Sequence, residues 1–321
     1  MAPSLVDTIL QITAADSLTE LRQTFPEAVR SATGAVAARL FLVVEAVPGG
    51  PRELYPLPEG GSLPLTALPG AAEAVAGGER RVVAAAGGGH LTVQPLAEVA
   101  GEPHLLVLRH PTPRLPREAA LDPLTTLFHH QTSLLRHLEH DALTGLRNRQ
   151  SFDRELWPLL QAPGGRRRGD PDTLTLAMVD IDHFKRINDT HGHLVGDEVL
   201  ILFARLMRAT FRRTDPVYRY GGEEFCVVLP GAPWPAAERV MERFRAAVEA
   251  NPFPQVGRCT ASVGCAEAHP GEPPHTLVDR ADRALYYAKA NGRNQVRCHE
   301  RLVAEGLLEA EAVAAGEVEL F

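Results

Sequence analysis

Several common signals are missing from this sequence. Aromatic residues make up 6% of the chain, only four residues are cysteine, and the sequence contains no continuous apolar run long enough to span a bilayer as a helix. The residues Met1–Leu10 lack a basic segment followed by an apolar core, so no secretory leader is expected and the expected location is cytoplasmic. Cys226, Cys259, Cys265 and Cys298 show no Cys-x-x-Cys spacing, which leaves reduced, buried thiols as the reading. Gly87-Gly88-Gly89-His90 is not followed by Gly-Lys-Ser/Thr, so it is a hairpin loop and not a phosphate cradle. His191 and His193 have no third ligand nearby, which favours a turn over a zinc site.

Charge is also unevenly spread. Residues 1–140 hold 10 basic and 14 acidic groups, residues 141–299 hold 22 and 20, and residues 300–321 hold one and six. The mildly positive middle suits a polyanionic nucleotide, but it lacks the concentrated basic face that long DNA or RNA requires. With 321 residues, 45% of them apolar and 23% charged, the chain is long enough for two soluble domains.

In the first third, Leu5, Ile9, Ile12, Leu18, Leu21, Phe25 and Val29 recur at helical spacing, which predicts a helical region over 4–33. Ser17 is its internal cap, with Glu20 three residues on, and Gly34 its stop. Strands are predicted at 35–44, 81–86, 90–96 and 104–108. A long helical region followed by short strands and loops resembles a GAF sensory domain. A PAS-like domain or a scaffold without ligand stays open. The proline-rich Pro111–Pro116 marks the boundary, so residues 1–115 are read as this GAF-like regulatory domain.

Asp122-Pro123 then caps a helix. Positions 124, 127, 131, 134, 138 and 141 follow coiled-coil spacing, so 116–141 is a linker helix that either pairs in a parallel homodimer or packs on its own domain. His129, His130, His137 and His140 on it are read as solvated.

The centre of the chain is Arg219-Tyr220-Gly221-Gly222-Glu223-Glu224-Phe225, between the apolar stretches Val217–Tyr220 and Phe225–Leu229. Two glycines there predict a two-residue hairpin with positive φ at both. The bare turn lets a ligand approach the backbone, and two carboxylates follow it. Upstream, Leu174–Ile181 reads as a strand buried on both faces that ends in Asp180 and Asp182. Carboxylates at a strand end beside a second acidic turn make a hard oxygen site for Mg²⁺. Helices are predicted at 195–211, 235–250 and 275–291, strands at 258–266 and 295–298, and a loop at 161–172 in which Arg166-Arg167-Arg168 is a solvated basic turn. Strands alternating with helices, plus one hairpin, predict an α/β (α+β) layer of the ferredoxin-like type.

Together, Gly-Gly-Glu-Glu-Phe, Asp180-Ile-Asp-His-Phe-Lys-x-Ile-Asn-Asp189 and Asp141-Ala-Leu-Thr-Gly-Leu-Arg-Asn-Arg149 closely resemble the GGDEF domains, the diguanylate cyclases, over about residues 141–299. Glu223 stands where the family's title motif has aspartate. The resemblance implies a nucleotidyl-cyclase palm over 142–299 that condenses two GTP into cyclic di-GMP and two pyrophosphates. It assigns two Mg²⁺ or Mn²⁺ per GTP site to Asp180, the Ile181 carbonyl and Glu223. It makes Glu223 and Glu224 the catalytic pair, with Glu224 adding a metal contact or assisting deprotonation. Asn188 and Asp197 would read guanine, and Lys185, Lys289 and Arg293 would bind the β- and γ-phosphates. Lys289 and Arg293 are placed one helical turn apart, and Asp197 in the first turn of its helix.

The resemblance also implies an inhibitory product site at Arg212 and Asp215, with five residues between Asp215 and Gly221. One domain holds one GTP, so product needs a homodimer, which the N-terminal domain would regulate through an unidentified ligand or partner. A receptor that binds cyclic di-GMP or GTP without turnover is the alternative, and a cyclase making another dinucleotide a third reading. No chemistry is read in the acidic tail, 300–321.

Overall fold

The structure is a computed structural model, and it describes residues 4–45, 50–57, 61–99, 102–161 and 173–309. Arg166-Arg167-Arg168 and tail residues 310–321 lie outside the described residues. The chain divides into two compact units, Met1–Leu138 and Glu139–Phe321.

The first unit begins with α1 (Leu5–Thr13) and α2 (Leu18–Thr33). The single helical region expected over 4–33 is therefore two helices, because each start carries its own cap. The Ser4 hydroxyl accepts from the Asp7 N–H, and the Ser17 hydroxyl from the Glu20 N–H. Strands β1 (Ala37–Glu45), β2 (Arg52–Leu57) and β3 (Leu63–Pro64) follow, then α3 (Ala71–Gly77), β4 (Arg81–Ala84), β5 (His90–Val99) and β6 (Glu102–His110). They form one antiparallel sheet in the order β3-β2-β1-β6-β5-β4.

Alternation along β1 separates two cores. Leu40 joins Ile12, Leu21, Phe25 and Val29 on the face covered by α1 and α2, while Phe41 and Val43 join Leu54, Ala71 and Ala74 on the face covered by α3. Both β2 and α3 escaped the sequence reading, because their residues are too few to establish a period.

The last helix of this unit, α4, runs from Leu121 to Glu139. Its expected seam is not a uniform stripe. Leu124 and Leu127 pack into the core with Phe128 and Leu135, and the Gln131 amide lies 3.4 Å from the Thr13 carbonyl at the end of α1. Leu134 and Leu138 are 56% and 55% exposed.

The second unit holds β7 (Arg147–Asn148), α5 (Arg149–Gln161), β8 (Leu174–Ile181), α6 (Phe184–His191), α7 (His193–Thr210), β9 (Val217–Arg219) and β10 (Glu224–Pro230). Then come α8 (Trp234–Ala250), β11 (Ala261–Glu267), α9 (Pro274–Ala290), β12 (Val296–Cys298) and α10 (His299–Ala304). The mixed sheet has the order β12-β11-β8-β10-β9-β7, which puts β8 at its middle with every residue buried, as its unbroken apolar run predicts.

Ala177, Val179 and Ile181 face a core with Phe203, Met207, Phe244 and Val248 from α7 and α8. Leu174, Leu176 and Met178 face Phe152, Leu156, Ala281 and Leu285 from α5 and α9. This is an α+β architecture with helices on both faces of the sheet. Gly264 lets α9 lie directly on β11, since a Cβ there would fall 2.1 Å from the Leu285 nitrogen. The four cysteines are all free and buried.

Candidate active site

The site forms where the buried central strand runs out. Asp180 is the penultimate residue of β8 and sits opposite Glu224 of β10 and Ser262 of β11 in the ladder. It shares the strand face that looks onto α9, and from there the Lys289 ammonium reaches its Oδ2 at 2.7 Å. Burial pushes the Asp180 carboxyl above the usual aspartate range. Lys289 opposes that rise, and Glu224 and Asp182 add to it. Glu223 is pushed up as well, by burial first and then by Asp180, with Lys289 again opposing. Three carboxylates thus repel one another around a single ammonium. The Ile181 side chain is fully buried, so only its backbone can meet a ligand.

Asp182 is not the partner of Asp180 that the sequence suggests. The strand ends at Ile181, and the Asp182 carboxylate turns to accept from the Ser262 hydroxyl at 2.6 Å, the Thr260 hydroxyl at 2.7 Å and the Asn294 N–H at 2.9 Å. With both of its oxygens engaged by three donors and its side chain buried, it ties β11 and the turn after α9 to the end of β8.

The signature loop also differs from expectation. Neither Gly221 nor Gly222 has a positive φ, so this is no two-residue primed turn. Phe225 pairs with Arg219, and Tyr220 and Gly221 both donate to the Glu224 carbonyl, at 2.8 and 3.0 Å. Gly221 serves close approach instead. A Cβ on Gly221 would meet Glu224 Oε2 at 2.4 Å, whereas one on Gly222 would meet nothing within 4 Å.

Arg219, to which the sequence reading gave no role, holds this loop in place. Its guanidinium binds both oxygens of Asp141, at 3.0 and 3.1 Å, and donates to the Gly222 carbonyl at 2.8 Å. Asp141 in turn accepts from the Thr144 N–H and hydroxyl. The residues after α4 are thereby tied to the glycine loop through one side chain. The signal for this was the pair of motifs Asp-x-x-Thr and Arg-x-Gly-Gly, but their mutual contact is not readable from spacing.

The remaining residues lie on neighbouring elements. Lys185 is exposed on α6 and makes no ion pair among the described residues. Asn188 is half-buried on the same helix, and Asp197 half-buried on α7. Among the described residues neither side chain has a hydrogen bond or ion pair. Because α7 starts at His193, Asp197 is its fifth residue and not in its first turn, so the helix dipole does not account for it. The turn expected at Thr190–His193 reduces to Gly192, since Thr190 and His191 end α6.

Lys289 is on α9, but Arg293 is not. The helix ends at Ala290, and Gly292, Arg293 and Asn294 run through positive φ of 110°, 59° and 45°. The helical-turn argument for Lys289 and Arg293 therefore fails. Arg293 is set instead by a left-handed turn that Asp182 anchors through the Asn294 N–H. Apart from these, Arg212 and Asp215 close a turn after α7. Asp215 accepts from the Arg212 backbone N–H at 3.0 Å, which leaves the Arg212 side chain exposed. Burial raises the Asp215 carboxyl, and the Arg212 N–H opposes this.

One signal in composition went unused. Of 33 basic side chains only two are lysine, Lys185 and Lys289, and both are residues that the resemblance assigns to the nucleotide phosphates.

A hard divalent cation fits the donors present, since the mutual repulsion of Asp180, Glu223 and Glu224 is what such an ion relieves. Among the described residues no three His, Cys, Asp or Glu side chains form a ready cluster, so a backbone carbonyl would have to complete the set.

Known proteins are similar to this chain over the same region. The family profile described as diguanylate cyclase, GGDEF domain, matches residues 138–295. Diguanylate cyclase DgcP of Pseudomonas aeruginosa is 43% identical over 159 residues, 49% of this chain and 23% of that protein. The response regulator PleD of Caulobacter vibrioides is 43% identical over 163 residues, 49% of this chain and 35% of PleD. The crystal structure of the coiled coil and GGDEF domain of DgcB from Caulobacter crescentus, in complex with c-di-GMP, superposes with a TM-score of 0.51 at 32% identity and covers 56% of this chain and 96% of that one. The chain spans well under half the length of either curated relative.

Proposed function

Taking residues 138–295 as what they are, a GGDEF domain, we propose that this chain is a diguanylate cyclase. It condenses two GTP into cyclic di-GMP and two pyrophosphates. The observation that carries the reading is the buried Asp180 at 2.7 Å from Lys289, set among Glu223 and Glu224 at the open end of β8.

Asp180, Glu223 and the Ile181 carbonyl would hold Mg²⁺ or Mn²⁺, two ions per GTP site, which supplies charge neutralisation at the α-phosphoryl group and acidifies the attacking hydroxyl. The protein's own part is positioning. Asp197 accepts from guanine N1–H and N2–H while the Asn188 amide meets the remaining edge. Lys185 and Arg293, neither in an ion pair among the described residues, take the β- and γ-phosphates. Lys289 neutralises Asp180 until the triphosphate competes for its ammonium. Each 3′-oxygen loses its proton, with Glu224 assisting, and forms a bond to the partner's α-phosphorus as the bond to pyrophosphate breaks.

Two domains must meet, so the working form is a homodimer joined through α4 and the N-terminal unit. That unit, read as GAF-like, is the regulatory part, and the exposed Leu134 and Leu138 suit the pairing. Arg212 and Asp215 form the product-inhibition site. No helix among the described residues is long and apolar enough to cross a membrane, and a cytoplasmic location is part of the reading.

The test is turnover of the full chain with GTP and Mg²⁺, with products resolved by chromatography over a range of protein concentrations. Cyclic di-GMP from wild type and none from Glu223→Ala is expected. GTP bound without product at every concentration would replace the enzyme with a receptor.

The loop anchor gives a second expectation. Arg219→Ala should lower kcat about 10–100-fold, because the Gly222 carbonyl and hence Glu223 lose their fixed position. Arg219→Lys should recover only part of this, since an ammonium cannot span Asp141 and Gly222 as a guanidinium does. Steady-state kinetics of both variants would decide it, and an unaltered kcat would mean that the loop holds itself.

A further inference from the structure

Gly196 sits inside α7, one residue before Asp197, in a helix that does not need it. Its φ is not positive, so no left-handed turn calls for glycine there. Glycine is a poor helix former, second only to proline, so its presence in a buried helical turn asks for a reason. Space is that reason. A Cβ on Gly196 would lie 1.9 Å from Asn188 Oδ1, 3.0 Å from Asn188 Cγ and 3.3 Å from Phe184 Cζ. The Asn188 amide thus rests on bare helix backbone, in the volume that any other residue would fill.

Asn188 points to a ligand on independent grounds. Its amide is half-buried yet makes no hydrogen bond among the described residues, which leaves two donors and an acceptor open. Asp197, next in sequence to the seat, is half-buried and open in the same way. The backbone of α7 therefore fixes where the amide stands relative to the carboxylate.

We propose that Gly196 is a positioning residue for base selection, the seat that holds the Asn188 amide beside Asp197 so that the two together accept guanine and reject adenine. This rests on the reading of Asn188 and Asp197 as the guanine-binding pair. The physical basis is that guanine offers N1–H and N2–H donors with an O6 acceptor, while adenine offers the reverse on that edge. Discrimination between them needs donor and acceptor in fixed relative position, and a displaced amide leaves one guanine group unpaired.

A double-mutant cycle on the full chain tests this. Binding of α,β-methylene-GTP, whose bridge cannot be displaced, is measured by calorimetry against α,β-methylene-ATP, and melting is followed in parallel. Gly196→Ala is expected to weaken the guanine ligand about 10–100-fold and to leave the adenine ligand unchanged. Asn188→Ala should do the same. In the Asn188→Ala background Gly196→Ala should cost no further affinity and should raise the melting temperature, since the clash is gone and alanine favours the helix.

Asn188→Ala weakening the guanine ligand while Gly196→Ala does not, or the two effects multiplying independently, would overturn the seat alone. Asn188→Ala leaving guanine binding untouched would overturn the base-reading role and the seat with it. The double variant loses the clash with the amide and keeps only the 3.3 Å approach to Phe184 Cζ, which a small ring shift relieves, so a folding failure of Gly196→Ala alone does not obscure the result.

Discussion

Asp180→Asn is expected to reduce cyclic di-GMP formation by about 10²–10³-fold, the scale on which removal of one preorganised electrostatic group acts. The amide keeps the shape of the side chain and removes its charge. It takes away the anion that Lys289 contacts at 2.7 Å and that a divalent cation would require. The fold should survive, for two reasons. Burial already disfavours the ionised carboxyl, so losing its charge relieves a cost. The Lys289 side chain is 31% exposed and can turn to water when its partner goes. The check is initial velocity across a Mg²⁺ titration together with a melting curve. A rate within a few-fold of wild type, with an unchanged Mg²⁺ midpoint, would remove Asp180 from the centre of the mechanism.

Asp182→Ala should do the opposite, acting on stability before chemistry. The substitution strands the Thr260 and Ser262 hydroxyls and the Asn294 N–H in a buried place, at a cost of about 3 kcal/mol. In a unit of this size that lowers its melting temperature by roughly 6–12 °C. Asp182→Asn should cost less. Its oxygen still accepts one bond, and a hydroxyl can rotate to accept from its amide, but the Asn294 N–H then competes with the other hydroxyl. Both tryptophans, Trp157 and Trp234, lie in the second unit, so intrinsic fluorescence follows that unit's transition selectively. Coincident melting of Asp182→Ala and wild type would mean that the three donors find other partners.

The contrast between Asp180 and Asp182 shows how far the sequence could be read. The strand beneath them was legible because eight buried residues in a row leave no other reading. Helices α7, α8 and α9 were legible from period and stops, within about two residues at their ends, whereas α5 and α10 were not read. What failed was direction at places where regular structure ends. Two carboxylates at i and i+2 share a face only while the strand continues, and it stops between them. Arg293 seemed to extend α9, although three left-handed residues had already turned the chain. The glycine pair suggested backbone freedom, and its first member, Gly221, serves side-chain proximity instead. In each case the residue type pointed to the site and a long-range contact set its role. The Arg219 bridge to Asp141 and the Gly196 seat under Asn188 are contacts of the same kind, and spacing alone does not reveal them.

The scarcity of lysine has a practical consequence. Apart from the α-amino group, an amine-selective acylating reagent has two targets on this chain, Lys185 and Lys289, and the proposed function assigns both to the nucleotide. Lys185 is open to solvent, whereas Lys289 is half-buried with its nitrogen against Asp180. The two differ in accessibility and in whether a carboxylate holds the nitrogen, so mild modification sorts them by rate. The protein's arginine-rich surface stays silent to such a reagent, and peptide mass mapping would read occupancy of this one place without any engineered label.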